Sequence, residues 1–148
     1  MIAVKKFSPD MQRAVGRFLN EVFPESGKVF EPETRHAAFA DIERSFIGFW
    51  CLLDGDCVIG TVAVKKLGDK ACELKGLYVY ERFHGRGLGF RLAETAVNFA
   101  MDGGFEKMYL DTMSKHEKAV RLYERMGFRR TVRYNDNEKA DLFMMKEL

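Results

Sequence analysis

The stretch ELKGLYVYERFHGRGLG, residues 73–89, joins a predicted strand to a predicted helix through a loop with glycine at every second position. Gly85, Gly87 and Gly89 let the backbone approach a ligand closely, because no Cβ stands in the way. Free N–H groups in the first turn of the following helix attract anionic oxygens. The loop therefore predicts a phosphate-binding turn at the start of a helix.

The spacing of these glycines excludes two common nucleotide-binding motifs. Phe90 and Leu92 stand where the third glycine of GxGxxG would fall, and the loop does not read GxxxxGK[ST]. Neither a dinucleotide-binding turn nor a P-loop is predicted. A glycine cluster by itself is also compatible with a tight turn that binds nothing.

Outward from this loop, the periodicity of apolar residues predicts seven strands and four helices. Ser8 with Pro9 is expected to open the first helix, and Ser114 with Glu117 forms a capping-box signature for the last one. A strand, helix, strand passage requires a crossover and therefore a parallel pair, which predicts a mixed α+β sheet. The strands are expected at 2–7, 48–53, 57–66, 71–80, 107–111, 128–134 and 141–146, and the helices at 8–22, 32–45, 87–102 and 114–126.

The composition is that of an ordinary globular protein. With 148 residues, 47% of them hydrophobic and 31% charged, we expect a single domain over residues 1–148. A net charge of +2 is too small to favour nucleic acid or an anionic membrane as partner. No apolar run approaches the ~20 residues of a membrane span, and residues 1–10 lack signal-peptide features, so a cytoplasmic location is expected.

The three cysteines, Cys51, Cys57 and Cys72, lack CxxC spacing and lie in apolar, strand-like stretches. An odd number of cysteines with this spacing does not support a disulfide framework or a zinc knuckle. We expect three buried thiols in a reducing compartment and no bound metal.

Three segments together resemble the GNAT superfamily of acyl-CoA-dependent N-acyltransferases. ELKGLYV, residues 73–79, is similar to the family strand ELxxLYV, and HGRGLG, residues 84–89, to the loop (R/Q)xxGx(G/A). AVRLYERMGF, residues 119–128, is similar to the family's late helix (A)xxLYEKxGF. The resemblance implies about seven strands in a mostly antiparallel sheet with one parallel pair and helices on both faces. It also implies an N-acetyltransferase that uses acetyl-CoA as cosubstrate, needs no metal, and acts through a ternary complex.

The resemblance also assigns residues to the coenzyme. In the family, a bulge such as Gly76 would form lets the strand pair with the pantetheine arm and turns an N–H, here that of Val79, toward the thioester oxygen. His84 and His116 depart from the family pattern, which usually has Arg or Gln at the first position and often Asn at the second. The residues expected to contact the coenzyme are Leu77, Tyr78, Val79, His84, Gly85, Arg86, Gly87, Leu88, Gly89, His116 and Tyr123.

Two catalytic roles are implied as well. An attacking amine must be neutral, so some group has to accept its proton. Glu73 matches the general base of the family's histone acetyltransferase branch, with Asp111, His116 or water as alternatives. Tyr123 matches the tyrosine that protonates the departing thiolate. Without the resemblance, Glu73 would be a solvated or paired strand residue and Tyr123 a core tyrosine.

The segment 23–45 corresponds to the acceptor-binding region of the superfamily. It is rich in phenylalanine and acidic residues, which predicts a cationic amine with an apolar portion, either a small molecule or a peptide. Protein N-termini, lysines, polyamines, amino acids and aminoglycosides all fit that description.

Two other classes of function are compatible with the sequence. The first is a non-catalytic acyl-CoA-binding sensor or interaction module of the same fold. The second is a basic nucleic-acid-binding module, which the net charge does not favour. A homodimer is compatible with the resemblance, because dimers are common among proteins of this kind.

Overall fold

The computed structural model describes residues 1–148, with seven strands and four α-helices. The strands are β1 (Ile2–Lys6), β2 (Gly48–Asp54), β3 (Cys57–Lys66), β4 (Ala71–Val79), β5 (Lys107–Thr112), β6 (Arg129–Arg130) and β7 (Leu142–Glu147). The helices are α1 (Gln12–Val22), α2 (Ile42–Ser45), α3 (Leu88–Asp102) and α4 (Glu117–Arg125). Short 3-10 turns occupy Pro9–Met11, Phe23–Ser26, Ala37–Ala40 and Glu81–Phe83.

The strands form one sheet in the order β1-β2-β3-β4-β5-β7-β6. Every neighbouring pair is antiparallel except β4 and β5, which run parallel because α3 crosses over between them. The predicted mixed sheet with a single parallel pair is confirmed.

Helices cover both faces of this sheet. Trp50 of β2 packs against Phe99 of α3 with ring centroids 5.0 Å apart. Its neighbour Phe49 instead contacts Phe39 and Phe46, at 6.4 and 5.7 Å. Because successive strand residues point to opposite faces, α3 lies on one face and the segment before β2 on the other. The expected two-sided covering is confirmed.

The parallel pairing of β4 with β5 covers only three residues of each strand, so the sheet is open beyond it. Residues 71–73 of β4 pair with 107–109 of β5, and the pairing stops there. Beyond this point β4 continues along β3 to Val79, while β5 continues along β7 to Thr112. The two strands therefore separate and leave an opening between their carboxyl ends.

Strand β4 contains the predicted bulge at Gly76. The register between β3 and β4 shifts between Thr61 and Ala63. Gly76 has a φ of 60°, and the Thr61 hydroxyl donates a 2.7 Å hydrogen bond to its carbonyl. A Cβ at this position would lie 2.9 Å from the ring of Phe39. Both the backbone conformation and the packing therefore require glycine.

The helix predicted over 32–45 is wrong. Only two separate turns form there, the 3-10 turn at Ala37–Ala40 and the four-residue α2. Gln12 of α1 lies at the break between them. Its side-chain amide donates to the Phe39 carbonyl at 2.8 Å, and its carbonyl accepts from the Ile42 N–H at 3.1 Å. These bonds from a distant side chain take the place of continuous helical hydrogen bonds.

The strand predicted over 128–134 is also too long. β6 is limited to Arg129–Arg130, although Thr131 still donates to the Phe143 carbonyl at 2.8 Å. The chain then turns away from β7, because the Arg133 guanidinium binds the carbonyls of Asn137 and Ala140 at 3.0 and 3.2 Å. Hydrogen bonds to the loop that follows Arg133 therefore replace further pairing with β7.

The predicted capping box does not form. The N–H and the hydroxyl of Ser114 both bind the carboxylate of Asp141, each at 2.7 Å. The helix consequently begins later, at Glu117, with His116 as its N-cap. The Ser114–Asp141 contact instead ties the β5–α4 loop to the residue before β7.

The cysteines are only partly as expected. Cys51 and Cys72 are free and buried, whereas Cys57 is free and exposed, so the expectation of three buried thiols is wrong for Cys57. Burial raises the pKa of Cys51 to about 12 and that of Cys72 to about 11.

Candidate active site

A cleft of about 1680 Å³ occupies the opening between β4 and β5. Residues 74–79 of β4, the loop 83–90 and residues 111–125 form its main walls, and the segments 22–39 and 135–140 complete it. Typical small-ligand sites measure roughly 300 to 1,000 Å³. The cleft is therefore large enough for an extended ligand and a second, smaller one.

The glycine loop leaves a run of backbone donors free. The six consecutive N–H groups of residues 85–90 donate no hydrogen bond within the chain. Gly85 and Gly87 have φ values of 82° and 72°, and Gly87 is the N-cap of the 15-residue α3, with no side chain bonded to the helix end. Free amides at the positive end of a helix dipole form an anion-binding turn.

The free edge of β4 directs backbone groups into the opening. The Tyr80 N–H donates to the Ile59 carbonyl at 3.1 Å, and bonded and non-bonded pairs alternate along an antiparallel ladder. Val79, which lies opposite Gly60, is therefore in a non-bonded pair. Its N–H and C=O point away from β3, toward the opening.

His84 lies at this edge and not in the glycine turn itself. Its ring Nε2 donates a 2.9 Å hydrogen bond to the Val79 carbonyl. The side chain is exposed, and it lines the cleft beside the strand. The structure thus places the imidazole against the peptide edge that the pantetheine arm is predicted to use.

Most residues predicted to contact the coenzyme line the cleft. The exception is Arg86, which is exposed and holds its guanidinium 5.2 Å from the ring centroid of Phe83. The residues that do line it are Leu77, Tyr78, Val79, His84, Gly85, Gly87, Leu88, Gly89, His116 and Tyr123. Their assignment to the coenzyme stays a prediction.

Tyr123 places a phenol in the cleft from α4. Its side chain is 9% exposed and packs edge-on against Phe128, with ring centroids 6.0 Å apart. Burial, with a further contribution from the Asp111 charge, raises the pKa of Tyr123 to about 12. The phenol is therefore a proton donor throughout the neutral and moderately alkaline range.

Glu73 lies behind the cleft wall. It is 3% exposed and does not line the cleft. Its Oε2 accepts a 2.5 Å hydrogen bond from the Tyr134 hydroxyl and a 3.4 Å bond from the Asn135 amide, and Lys75 Nζ lies 3.9 Å away. All of these partners hold the carboxylate in place, away from the cleft surface.

Asp111 and His116 both line the cleft but differ in their hydrogen bonding. Asp111, at the open end of β5, lines the cleft and accepts a 2.6 Å hydrogen bond from the Asn135 amide. His116 Nε2 is buried without a hydrogen-bond partner. Burial, and after it the charges of Lys28 and Lys115, lowers the pKa of His116. The imidazole is thus favoured in its neutral form.

The acceptor side of the cleft differs from the sequence expectation. Two of the carboxylates that should attract a cationic amine accept hydrogen bonds within the protein: Glu21 accepts from the Tyr80 hydroxyl at 2.6 Å, and Glu25 from the Glu81 N–H at 2.8 Å. From this segment the cleft is lined by Lys28, Arg35 and His36 as well as by Glu25 and Glu31. The lining is therefore more basic than the sequence indicated.

Three polar residues of this region were not singled out by the sequence. Tyr134 and Asn135 join Glu73 to Asp111, and Lys28 projects into the cleft. Asn135 belongs to the polar loop NDNEKA, which reads as an ordinary connection. The one local signal for Lys28 is the preceding Gly27, whose φ of 75° ends the 3-10 turn at Phe23–Ser26.

The described chain contains no group of three or more His, Cys, Asp or Glu side chains placed to hold a metal ion. None of its helices has the length and apolar character needed to cross a bilayer.

The bulged β4, the separated β4 and β5, and the glycine turn before α3 define a domain of the GNAT class. Residues 15–128 match the model of the Acetyltransferase (GNAT) family, and the chain belongs to this family.

Curated relatives agree with this assignment. The chain is 38% identical over 106 residues to probable N-acetyltransferase family 8 member 5 of Mus musculus, which covers 66% of this chain and 47% of that protein. It is 35% identical over 89 residues to an uncharacterized N-acetyltransferase of Schizosaccharomyces pombe, covering 60% and 55%. The chain spans about half the length of the curated relatives it matches.

Solved structures share the fold at low identity. A GNAT-family acetyltransferase of Staphylococcus aureus Mu50 superimposes with a TM-score of 0.90 at 16% identity, covering 99% of both chains. An acetyltransferase of Streptococcus agalactiae 2603 gives 0.88 at 23% identity, covering 99% of this chain and 98% of that one. At these identities the likeness shows the fold alone.

Proposed function

We propose that this domain transfers an acetyl group from acetyl-CoA to a primary amine by direct attack within a ternary complex. One observation carries the proposal: six free consecutive amides at the start of α3 lie beside a sheet opening that holds a buried, protonated phenol. This combination provides a place for a diphosphate and a proton donor in one cleft.

The amides of residues 85–90 would bind the diphosphate of the coenzyme. They are contiguous, unpaired and at the N-terminus of a 15-residue helix, where negative charge is favoured. Lys118, Arg121 and Arg125 of α4 also line the cleft and offer cations to further phosphate oxygens. These groups fit a phosphorylated coenzyme without any metal.

The edge of β4 would bind the pantetheine arm. Val79 points its backbone polar groups into the opening because it lies in a non-bonded pair with Gly60. Its N–H can donate to the thioester oxygen, where negative charge develops during attack. A donor of this kind contributes about 2.7 to 4 kcal/mol to transition-state stabilisation in other enzymes.

Asp111 and Tyr123 would handle the two protons. As the new C–N bond forms, Asp111 accepts the amine proton, directly or through water. As the C–S bond breaks, Tyr123 donates its phenolic proton to the departing sulfur. Glu73, the base that the resemblance implies, lies behind the wall, and we therefore place it as a positioning residue for Tyr134 and Asn135.

The choice of an acetyl donor is supported by two structures of the same fold. A GNAT-family acetyltransferase from Elizabethkingia anophelis, with a TM-score of 0.72, was solved with acetyl-CoA bound. PaiA N-acetyltransferase from Thermoplasma acidophilum, with a TM-score of 0.76, was solved in complex with coenzyme A.

Titration calorimetry with acetyl-CoA, followed by a thiol-release assay over a panel of amines, tests the proposal. We expect saturable binding and amine-dependent release of CoA. Absence of binding at millimolar acetyl-CoA would refute the whole proposal. Binding without turnover of any amine would instead indicate a non-catalytic acyl-CoA sensor.

A further inference from the structure

The acceptor side of the cleft contains an ammonium group without a counter-ion. Lys28 follows Gly27 and lines the cleft. Its Nζ donates a 3.3 Å hydrogen bond to the Tyr78 hydroxyl and lies 5.2 Å from the centroid of that ring. The ring of Phe23 lies 5.9 Å from the same nitrogen. Lys28 is thus fixed between aromatic side chains at the cleft surface.

No carboxylate forms an ion pair with Lys28. The ion pairs of the chain join the amino terminus to Asp54, Arg35 to Glu31, and Lys75 to Glu73. Burial is the main cause that lowers the pKa of Lys28; Asp111 acts to raise it, and Lys75, Lys115 and Arg35 lower it further. A half-buried ammonium near three other cations, with Asp111 as the opposing charge, is further stabilised by an incoming anion.

Lys28 shares the cleft with the groups of the proposed reaction centre. Its hydrogen-bond partner Tyr78 immediately precedes Val79, whose N–H is proposed to receive the thioester oxygen. The charge of Asp111, the proposed proton acceptor, acts on the Lys28 ammonium. An anion bound by Lys28 would therefore lie on the side of the cleft that holds Tyr78 and faces Asp111.

Part of the acceptor wall is apolar. Val29, Ala38, Phe39 and Phe46 line the cleft in the same region. The Phe39 and Phe46 rings pack together with centroids 5.3 Å apart. This surface can bury an aliphatic or aromatic substituent but offers it no hydrogen bond.

From these contacts we propose that the acceptors are α-amino acids with apolar side chains, whose carboxylate is bound by Lys28. In such a molecule the amine and the carboxylate share one carbon atom, so the carboxylate can meet Lys28 while the amine meets Asp111, which lines the same cleft. The inference rests on the proposed acetyl transfer and adds the class of acceptor to it.

The experiment compares leucine, methionine and phenylalanine with their carboxamides in the thiol-release assay at saturating acetyl-CoA. The carboxamides keep the side chain and the amine but lose the negative charge. We expect kcat/KM to be at least about tenfold higher for the free amino acids, the size of a charge-assisted hydrogen bond. The less basic amine of the carboxamides works against this preference, so the comparison is conservative.

Variants of Lys28 test whether this residue causes the preference for free amino acids over their carboxamides. Lys28→Met should lower kcat/KM for the amino acids about tenfold or more and leave the carboxamides unchanged, whereas Lys28→Arg should keep the preference. Lys66→Met is the matched control, because Lys66 is exposed on β3 and does not line the cleft. Lys66→Met should leave kcat/KM unchanged for the amino acids and for the carboxamides.

Calorimetry with the CoA-loaded protein gives a second readout that does not need turnover. Wild type should bind leucine more tightly than leucinamide, and Lys28→Met should abolish the difference.

The inference is overturned if all three amino acids and their carboxamides bind and react equally, or if Lys28→Met weakens both classes alike. Acetylation of Lys28 itself, seen as one added acetyl mass, would also overturn it. The proposed acetyl transfer survives each of these results and fails only with loss of acetyl-CoA binding or of turnover.

Discussion

Asn135 donates a 2.6 Å hydrogen bond from its side-chain amide to Oδ2 of Asp111. The same amide nitrogen lies 3.4 Å from Oε2 of Glu73, which also accepts from the Tyr134 hydroxyl at 2.5 Å. One amide thus bridges two carboxylates of like charge. Because Asp111 lines the cleft and Glu73 is 3% exposed, the bridge separates a carboxylate that can meet substrate from one that cannot.

This arrangement predicts different effects for the two isosteric variants. Asp111→Asn removes the proposed proton acceptor and should lower kcat by about 10²- to 10⁴-fold. Glu73→Gln keeps an oxygen that accepts from Tyr134, so kcat should fall by less than about tenfold. Steady-state thiol release at saturating acetyl-CoA measures both. The opposite ranking would return the role of base to Glu73.

Tyr123→Phe should separate binding from chemistry. Removal of the phenol should reduce kcat by about 10²-fold or more, while acetyl-CoA affinity by calorimetry stays unchanged. Tyr109→Phe is the matched control, since Tyr109 packs on Tyr134 with ring centroids 4.9 Å apart and does not line the cleft. Full turnover by Tyr123→Phe would eliminate this residue as the acid.

The pH profile provides an independent check on Tyr123. Its pKa is raised to about 12 by burial and the Asp111 charge, so the phenol stays protonated far above neutral pH. Meanwhile the neutral fraction of an amine acceptor grows with pH. With a carboxamide acceptor, whose binding does not depend on the Lys28 charge, we expect kcat/KM to rise and then stay level up to about pH 10, without a falling limb. A decline beginning near pH 9, in a protein still folded by circular dichroism, would contradict the assignment.

Much of the fold follows from local sequence. Residues 73–89 predict their strand, turn and helix correctly, because glycine spacing and apolar periodicity act over a few neighbouring positions. The bulge is also a local signal, since Gly76 needs both a positive φ and space beside Phe39. The single parallel pair follows from the strand, helix, strand order alone.

The errors arise where distant side chains replace local hydrogen bonds. Gln12 interrupts the helix predicted over 32–45, and Asp141 captures Ser114 before it can cap α4. The site was incompletely predicted for the same reason. Tyr134 and Glu73 are 61 positions apart in sequence, and no spacing rule shows that their side chains meet. Motifs therefore predicted the cleft and its glycine turn better than the hydrogen bonds that join Glu73, Tyr134, Asn135 and Asp111.

Gly87→Ala should weaken coenzyme binding through the backbone. At a φ of 72°, an alanine costs about 1–2 kcal/mol, or the turn shifts and its amides lose their alignment. We expect acetyl-CoA affinity to fall at least about tenfold. Gly55→Ala is the matched control, because Gly55 has a φ of 61°, open space around it, and a position in the β2–β3 turn.

The two glycine variants should lose similar free energy of unfolding in urea, and Gly87→Ala alone should lose affinity in calorimetry. Equal acetyl-CoA affinity in both variants would show that the turn amides do not bind the coenzyme.

Folding stability should decrease on mild acidification because of two histidines beside the cleft. Burial lowers the pKa of His36 and of His116, and the nearby cations Arg35 and Lys28 act in the same direction. The His36 Nδ1 also accepts a 2.9 Å hydrogen bond from the Glu31 N–H, which protonation would remove. Each folded pKa lies below the unfolded one, so the unfolded chain binds more protons as the pH falls through about 6.5.

Urea unfolding at about pH 7.5 and about pH 5.5 measures this effect. We expect a lower midpoint at the acidic pH with an unchanged slope in wild type. The double variant His36→Gln with His116→Gln should lose much of the difference, since glutamine does not titrate. A wild-type midpoint that rises on acidification would mean that the folded state binds the additional protons, and that the histidines face carboxylates more closely than they face Lys28 and Arg35.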